Sequence, residues 1–131
     1  MKNIAIKENH LYVKAYRRGE RYVGRYLTVY VLRDYAAKRL CKENPQKQTV
    51  NRLGISVTKK IGGAVERNRA KRIIRAAYDT VKNDLRRGYL IVISAREQIN
   101  GRKSTDLEEE LRSAFCRLAM LDNGSRSEQK L

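Results

Sequence analysis

The sequence predicts a single compact domain of the α+β class, in which helices pack against a sheet. Segments rich in β-branched and aromatic residues alternate with segments whose apolar residues recur at helical spacing, and 131 residues suit one hydrophobic core. We expect the domain to span 1–121, with a flexible insertion at about 33–51. The polar tail at 122–131 is expected to be disordered.

Three segments have the composition of β-strands. Residues 26–32 alternate, so that their aliphatic side chains share one face while Tyr26 and Tyr30 share the other. Residues 53–58 alternate in the same way before a turn that contains two glycines. Residues 89–95 are apolar on both faces, which is typical of a central strand covered on each side.

Three further segments have helical periodicity. Asn9 is predicted to cap a first helix that ends before Gly19. Apolar residues from 64 to about 85 recur at about 100° per residue, and basic residues form the adjoining stripe. A last helix is predicted at 104–121, opened by a capping box at Thr105.

The segment from 33 to 51 follows neither pattern. It is charged and polar around Pro45, buries few apolar residues and favours no regular element. We expect a flexible surface connection here, and the sequence leaves open whether a further short strand lies within it.

The charge of the chain indicates a polyanionic partner. Lys and Arg number 30 and Asp and Glu 14, which gives a formal net charge of +16. In a compact fold, positive side chains in such excess repel one another unless a polyanion neutralises part of their charge. Nucleic acid is therefore the expected partner. The alternative is that the charge serves only solubility.

Other classes of function have little support in the sequence. Cys41 and Cys116 lack the paired spacing of a zinc site or disulfide framework, so both are expected to be reduced thiols. No signal peptide or membrane span is apparent, and we expect a cytoplasmic protein without membrane contact. The single His10 lacks an evident catalytic partner, and the consecutive acids at 108–110 point in different directions from a helix. We therefore predict no catalytic residue and no metal site.

The densest basic region lies between residues 52 and 75, where eight Lys and Arg residues accompany one acid, Glu66. Near the start of the predicted helix, arginine guanidinium groups, the Asn68 amide and free backbone N–H groups can converge on phosphate oxygens. A solvated helix face is the alternative. The predicted binding residues are Arg52, Lys59, Lys60, Arg67, Asn68, Arg69, Lys71, Arg72 and Arg75.

A second group combines aromatic and basic residues. Tyr12 and Tyr16 are four residues apart in a predicted helix, and Tyr30 lies in a predicted strand with Arg25 just before it. Aromatic rings can stack on unpaired bases while nearby cations follow the phosphates. Alternatively, the tyrosines seal an edge of the core and keep their hydroxyl groups in water.

The stretch from Arg52 to Arg75, RLGISVTKKIGGAVERNRAKRIIR, resembles the signature of the ribonuclease P protein component. The order of elements agrees over roughly residues 8–120. The resemblance implies an α/β sandwich of the ribosomal protein S5 domain 2-like type, with a mixed four-stranded sheet, about three helices and a left-handed βαβ crossover. Gly63 stands where asparagine is common in this family, and the connection at 33–51 is longer than usual.

The resemblance also implies a function. In this family a large RNA holds most of the Mg²⁺ and is the catalyst, without an organic cofactor. The protein is an accessory subunit, one per RNA, in an endoribonuclease that removes the 5′ leader of precursor tRNA. The basic residues from Arg52 to Arg75 would bind the catalytic RNA, and a cleft with Tyr12, Tyr16, Arg25 and Tyr30 would hold the leader. A ribosomal-type or general RNA-binding protein and a self-sufficient metal-dependent nuclease remain the alternatives.

Overall fold

The computed structural model describes residues 4–6, 8–43 and 51–121, apart from a few side chains. Its strands are β1 (Ile4–Ala5), β2 (Glu20–Val23), β3 (Leu27–Arg33), β4 (Arg52–Ser56) and β5 (Tyr89–Ala95). Its helices are α1 (Asn9–Arg18), α2 (Ala37–Glu43), α3 (Ala64–Val81) and α4 (Ser104–Arg117). The strands form one mixed sheet in the order β1-β4-β5-β3-β2. The predicted α+β class is confirmed.

The pairing of the strands builds the predicted crossover. β4 and β5 are parallel neighbours joined through α3, and β3 pairs antiparallel with both β5 and β2. Strands β2 to β5 therefore form the mixed four-stranded sheet, and the two residues of β1 extend it in parallel beside β4. The left hand of the crossover stays a prediction.

The buried residues lie on both sides of β5. Its Ile91 and Ile93 belong to a large apolar cluster that includes residues of β3, α3 and α4. Its Leu90 and Val92 belong to a smaller cluster with Ala15 of α1. All four β5 side chains are 2% exposed or less, and burying each contributes roughly 1.5–3 kcal/mol. The prediction that 89–95 is a central strand covered on both faces is confirmed.

Several element ends differ from the predictions. Glu8 rather than Asn9 occupies the N-cap of α1. The predicted start of the last helix at Ser104 is confirmed, but the N-cap is Lys103. The backbone N–H of Lys103 donates a hydrogen bond of 3.0 Å to the Asp106 carboxylate. α3 ends four residues before Leu85, because the chain tightens into a short 3-10 turn there. Leu85 is nevertheless buried.

The connection predicted at 33–51 contains α2, so the expectation of no regular element is wrong at residues 37–43. The cause is local: an Asp34 carboxylate oxygen accepts the Ala36 N–H at 3.0 Å and turns the chain into the helix. Residues 44–50 and the tail at 122–131 lie outside the described residues, and the flexibility expected of them stays a prediction.

The turn before β3 is held by α4. The Glu110 carboxylate accepts hydrogen bonds of 2.7–2.9 Å from the backbone N–H groups of Arg25, Tyr26 and Leu27. The Tyr26 ring packs against the large cluster, with the Arg102 guanidinium 5.2 Å from its centre. The prediction that Tyr26 shares the face of Tyr30 is therefore wrong, because Tyr26 precedes the strand and follows the turn.

An alanine with positive φ ends α4. Ala119 has φ of +58°, and the N–H groups of Ala119 and Met120 return to the carbonyls of Cys116 and Phe115 at 3.1 and 2.8 Å. This is a Schellman motif, in which the left-handed position usually holds glycine. The turn buries Met120 against the large cluster.

Replacing Ala119 by glycine should stabilise the protein. Glycine has no Cβ, so the steric strain that a side chain causes at positive φ would disappear. We expect the free energy of unfolding, measured by urea denaturation, to rise by about 0.5–1 kcal/mol. Ala76→Gly, at an exposed position inside α3, is the control and should lower the same quantity by about 1 kcal/mol. A loss of stability in both variants would contradict this account of the turn.

Candidate nucleic-acid interface

Tyr12 lies on the backbone of β4, where a glycine makes room for it. A Cβ at Gly54 would stand 2.6 Å from the Tyr12 hydroxyl oxygen, so no other residue fits beneath the ring in this position. Tyr12 is half-buried, and burial raises the pKa of its hydroxyl above the usual value, with a smaller contribution from Tyr16. This ring therefore packs against the smaller core cluster and keeps part of its surface exposed above β4.

Tyr16 and Tyr30 meet edge to face in the same region. Their ring centres are 4.9 Å apart at an angle of 73°. Tyr30 is half-buried against the smaller cluster, whereas Tyr16 is 39% exposed. The structure thus brings the three predicted tyrosines to one side of the sheet. Tyr12 and Tyr30 do seal a core edge, and Tyr16 offers the largest free ring surface of the three.

Hydroxyl side chains continue from the tyrosines across the sheet. Thr28 of β3 pairs with Ser94 of β5, which pairs with Ser56 of β4. Paired residues share a face, and these three stand two positions from Tyr30, Val92 and Gly54, so they lie on the α1 side. We call the region formed by Tyr12, Tyr16, Tyr30, Thr28, Ser56 and Ser94 the tyrosine cleft. Its hydroxyl floor follows from strand pairing, which the sequence did not reveal.

Arg25 is not placed as predicted. It lies in the β2–β3 turn, whose backbone is bound by Glu110 of α4 on the other side of the sheet from α1. Arg21 of β2 pairs directly with Tyr30, so its exposed side chain starts on the face of the tyrosine cleft. Arg21 is therefore the cation that the structure puts beside the cleft.

The basic residues of α3 and of the preceding 3-10 turn form a second surface, which we call the basic face. Its residues are Lys59, Lys60, Arg67, Asn68, Arg69, Lys71, Arg72 and Arg75, all exposed or partly exposed. Glu66, the one acid in the sequence between Lys59 and Arg75, accepts the Gly63 N–H at 3.0 Å and so closes the first turn of α3. Gly62, with φ of +144°, makes the sharp entry to this helix possible. Eight of the nine predicted phosphate-binding residues are thus together.

Two contacts fix the start of the basic face against its neighbours. Arg69 donates a hydrogen bond of 2.7 Å from Nη2 to the Arg102 carbonyl oxygen. Asn100 donates one of 2.8 Å to the Ile61 carbonyl oxygen. The backbone around the basic face is therefore held in place before any ligand binds, which lowers the entropy cost of recognition.

The tyrosine cleft and the basic face open at the same end of the sheet. β4 leaves the cleft floor at Ser56 and reaches Lys59 three residues later. A depression of about 320 Å³, lined partly by Thr58, Lys60 and Arg96, lies between the two surfaces. The chain that follows β4 therefore connects the hydroxyl groups of the cleft floor directly with the first cations of the basic face.

Arg52 is the predicted binding residue that the structure removes from the surface. It is 7% exposed, and its guanidinium forms a two-point ion pair with Asp34, at 2.8 Å from Nε and 2.9 Å from Nη2. Glu8 adds a contact of 3.4 Å. The hydrogen bond to Asp34 raises the pKa of Arg52 further above its usual value. The structure therefore does not bring Arg52 together with the other predicted binding residues, because its donors are committed inside the fold.

Removing the Asp34 charge should cost considerable stability. Asp34→Asn would leave the buried Arg52 charge without its counter-ion, and we expect the free energy of unfolding to fall by roughly 3–5 kcal/mol in urea denaturation. The matched control is Glu8→Gln, which removes the longer and more exposed contact and should cost less than about 1 kcal/mol. Equal effects of the two substitutions would show that the Asp34 pair is not the stronger contact.

Two further observations concern the described part of the chain. Its His, Cys, Asp and Glu side chains form no group of three or more that could hold a metal ion. None of its helices is long and apolar enough to cross a membrane.

Comparison with known proteins connects the chain with one family. The family model described as Ribonuclease P matches residues 1–119. The ribonuclease P protein component of Clostridium acetobutylicum is 33% identical over 121 residues, which cover 92% of this chain and 93% of that protein. The corresponding protein of Clostridium botulinum strain Loch Maree is 37% identical over 112 residues, with 85% and 90% covered.

Solved structures agree in fold. The Staphylococcus aureus RNase P protein matches with a TM-score of 0.70 and 27% identity, covering 93% of this chain and all of that chain (100%). The Thermotoga maritima RNase P protein matches with a TM-score of 0.64 over 86% of this chain and 94% of its own, and at 20% identity it supports the fold alone.

Proposed function

The chain belongs to the ribonuclease P protein family, and from this we propose that it binds both the catalytic RNA and the 5′ leader of precursor tRNA. In this proposal the protein assists the Mg²⁺-dependent removal of the leader, and the RNA subunit carries out the cleavage. The observation that carries the proposal is the presence of two surfaces of different chemistry at one end of the sheet.

The basic face suits a folded RNA. Its eight residues present seven cations to the phosphates of a partner, and Glu66 is occupied by the Gly63 N–H. Guanidinium groups bind phosphate oxygens in a two-point geometry, and Arg67 stands beside the N-terminal end of α3, which also favours anions. We assign the basic face to the catalytic RNA.

The tyrosine cleft suits an unpaired strand. The exposed Tyr16 ring can stack on one base, and the hydroxyl groups of the partly exposed Ser56 and Ser94 can each donate or accept a hydrogen bond, whereas Thr28 is buried. Arg21 stands beside the cleft to meet a phosphate. Stacking is tolerant of sequence, as a subunit that serves many precursors requires. We assign the tyrosine cleft to the leader.

The protein's part in the reaction is binding and positioning. Mg²⁺, held mainly by the RNA in this proposal, supplies the activated water and the charge neutralisation at the reacting phosphate. The cations of the basic face reduce the repulsion between the catalytic RNA and its precursor, so that fewer metal ions are needed for assembly. We place this activity in the cytoplasm, with one protein per RNA.

Reconstitution tests the proposed function directly. The protein is added to its cognate RNA subunit at low Mg²⁺ concentration, and leader removal is followed on a labelled precursor. We expect a clear gain in kcat/KM over the RNA alone, which shrinks as Mg²⁺ is raised. No gain would overturn the proposal in favour of a general RNA-binding protein, and cleavage by the protein without RNA would identify a self-sufficient nuclease.

Tyr16→Ala should weaken the binding of precursor tRNA to the reconstituted enzyme. Losing a stacked base costs on the order of 1–3 kcal/mol, and mature tRNA, which lacks the leader, should bind as before. Tyr16→Phe keeps the ring and should retain nearly all of the affinity. Equal losses for precursor and mature tRNA would argue against leader binding in the tyrosine cleft.

Arg67→Gln should weaken assembly with the catalytic RNA. Removing one cation that binds a phosphate lowers the salt dependence of binding, so the slope of log K against log salt should become shallower by about 0.7–0.9. Arg117→Gln, which removes the same charge from an exposed position of α4, should leave the slope nearly unchanged. If both variants change the slope equally, Arg67 contributes only general charge.

A further inference from the structure

A second group of cations lies at the opposite end of the sheet from the basic face. Arg18 ends α1, Arg33 ends β3, and Arg86 lies in the loop that leads into β5. All three are exposed, and together they line a slot of about 340 Å³. The slot also includes the Tyr89 ring and apolar side chains from β3 and the end of α4.

The cationic surface continues along α1. Lys14 and Arg18 are four residues apart and therefore lie on the same side of the helix. The Lys14 ammonium group stands 4.7 Å from the centre of the Tyr35 ring, and Tyr35 is 79% exposed. We call the region formed by Lys14, Arg18, Arg33, Tyr35 and Arg86 the second basic surface.

The charge of this surface is largely uncompensated. Glu20 is the one acid that lines the slot. Within residues 4–6, 8–43 and 51–121, no ion pair engages Arg18, Arg33 or Arg86. Three guanidinium groups around one slot repel each other, so an anionic ligand that binds them relieves a repulsion that folding alone leaves in place.

Two hydrogen bonds hold the backbone of Arg86, which lines the slot. The Arg86 N–H donates to the Met120 carbonyl at 2.7 Å, and the Arg86 carbonyl accepts from the Asn51 side chain at 2.7 Å. The turn at Ala119 delivers Met120 to this position. The Arg86 backbone is therefore fixed before binding, as a preformed site requires.

We propose that the second basic surface binds a single-stranded segment of RNA, separate from any strand in the tyrosine cleft. Arg18, Arg33 and Arg86 contact successive phosphates, and Tyr35 stacks on an unpaired base. A single strand is favoured over a duplex because an exposed ring finds a free base face only where bases are unpaired. The proposal does not rest on the function proposed above.

The two strand-binding regions lie on different sides of α1. The Tyr16 ring meets Tyr30 over the middle of β3, whereas Arg18 reaches towards Arg33 at the end of that strand. A strand on one side therefore leaves the other side open. Mutations at the two places should act independently, because they share no side chain.

The test uses the full chain and a fluorescent, unstructured eight-nucleotide oligouridylate in an anisotropy titration. Measurements are made in the Tyr16→Ala background, so that the tyrosine cleft contributes little. Tyr35→Ala should weaken binding about tenfold because the stacking on its ring is removed. Arg33→Gln combined with Arg86→Gln should also weaken binding, and should make the salt slope shallower by about 1.4, or about 0.7 for each phosphate on single strands. Tyr35 and both arginines are exposed, so circular dichroism should show folded variants.

Two controls and a comparison with anionic lipid vesicles allow the proposal to be refuted. Lys103→Gln, at the other end of α4 from the slot, removes an exposed charge and should change the affinity less than twofold. An RNA duplex of equal length should not respond to Tyr35→Ala. The proposal is overturned if Lys103→Gln matches the arginine variants, if the duplex loses as much affinity as the oligouridylate, or if the same variants abolish binding to anionic lipid vesicles while binding to RNA stays constant.

Discussion

The burial of β5 on both faces is the constraint on which the rest of the structure depends. Ile91 and Ile93 require an apolar layer on one side, and Leu90 and Val92 require another on the opposite side. α3 and α4 supply the first layer, and α1 supplies the second. α3 crosses from β4 to the neighbouring parallel β5, and the side that it turns away from the sheet is exposed at positions such as Arg72 and Arg75. That side carries the basic face.

The two sides of the sheet are covered unequally, and the tyrosine cleft results from this inequality. α1 has ten residues, too few to cover the α1 side of four strands, since it is only about 15 Å long. The hydroxyl row of Thr28, Ser56 and Ser94 lies beyond the tyrosines that α1 sets on the sheet. The cleft therefore exists because the helix is short, while the side covered by α3 and α4 closes into the main core.

The sequence predicted the elements that have a clear period and the residues that gather on one helix. β5 and the basic residues of α3 could be predicted because an apolar run and helical spacing are both visible within a short stretch of sequence. The burial of Arg52 could not be predicted because a strand arginine gives no sign of its distant partner: Asp34 lies 18 positions earlier, in a segment expected to be a loose connection. The sequence pointed to Arg25 rather than Arg21 as the cation beside the tyrosines for a related reason. Only the pairing of β2 with β3 decides which of them shares a face with Tyr30.

The placement of the acids explains how a chain with a net charge of +16 keeps the basic face and the second basic surface positive. Asp34 is committed to Arg52, Glu110 to the amides of the β2–β3 turn, and Glu66 and Asp106 to the first turns of α3 and α4. These carboxylates satisfy donors that folding would otherwise leave without partners. They are therefore not available to neutralise the exposed arginines. The same four acids thus stabilise the fold without pairing with the arginines of the basic face or of the second basic surface.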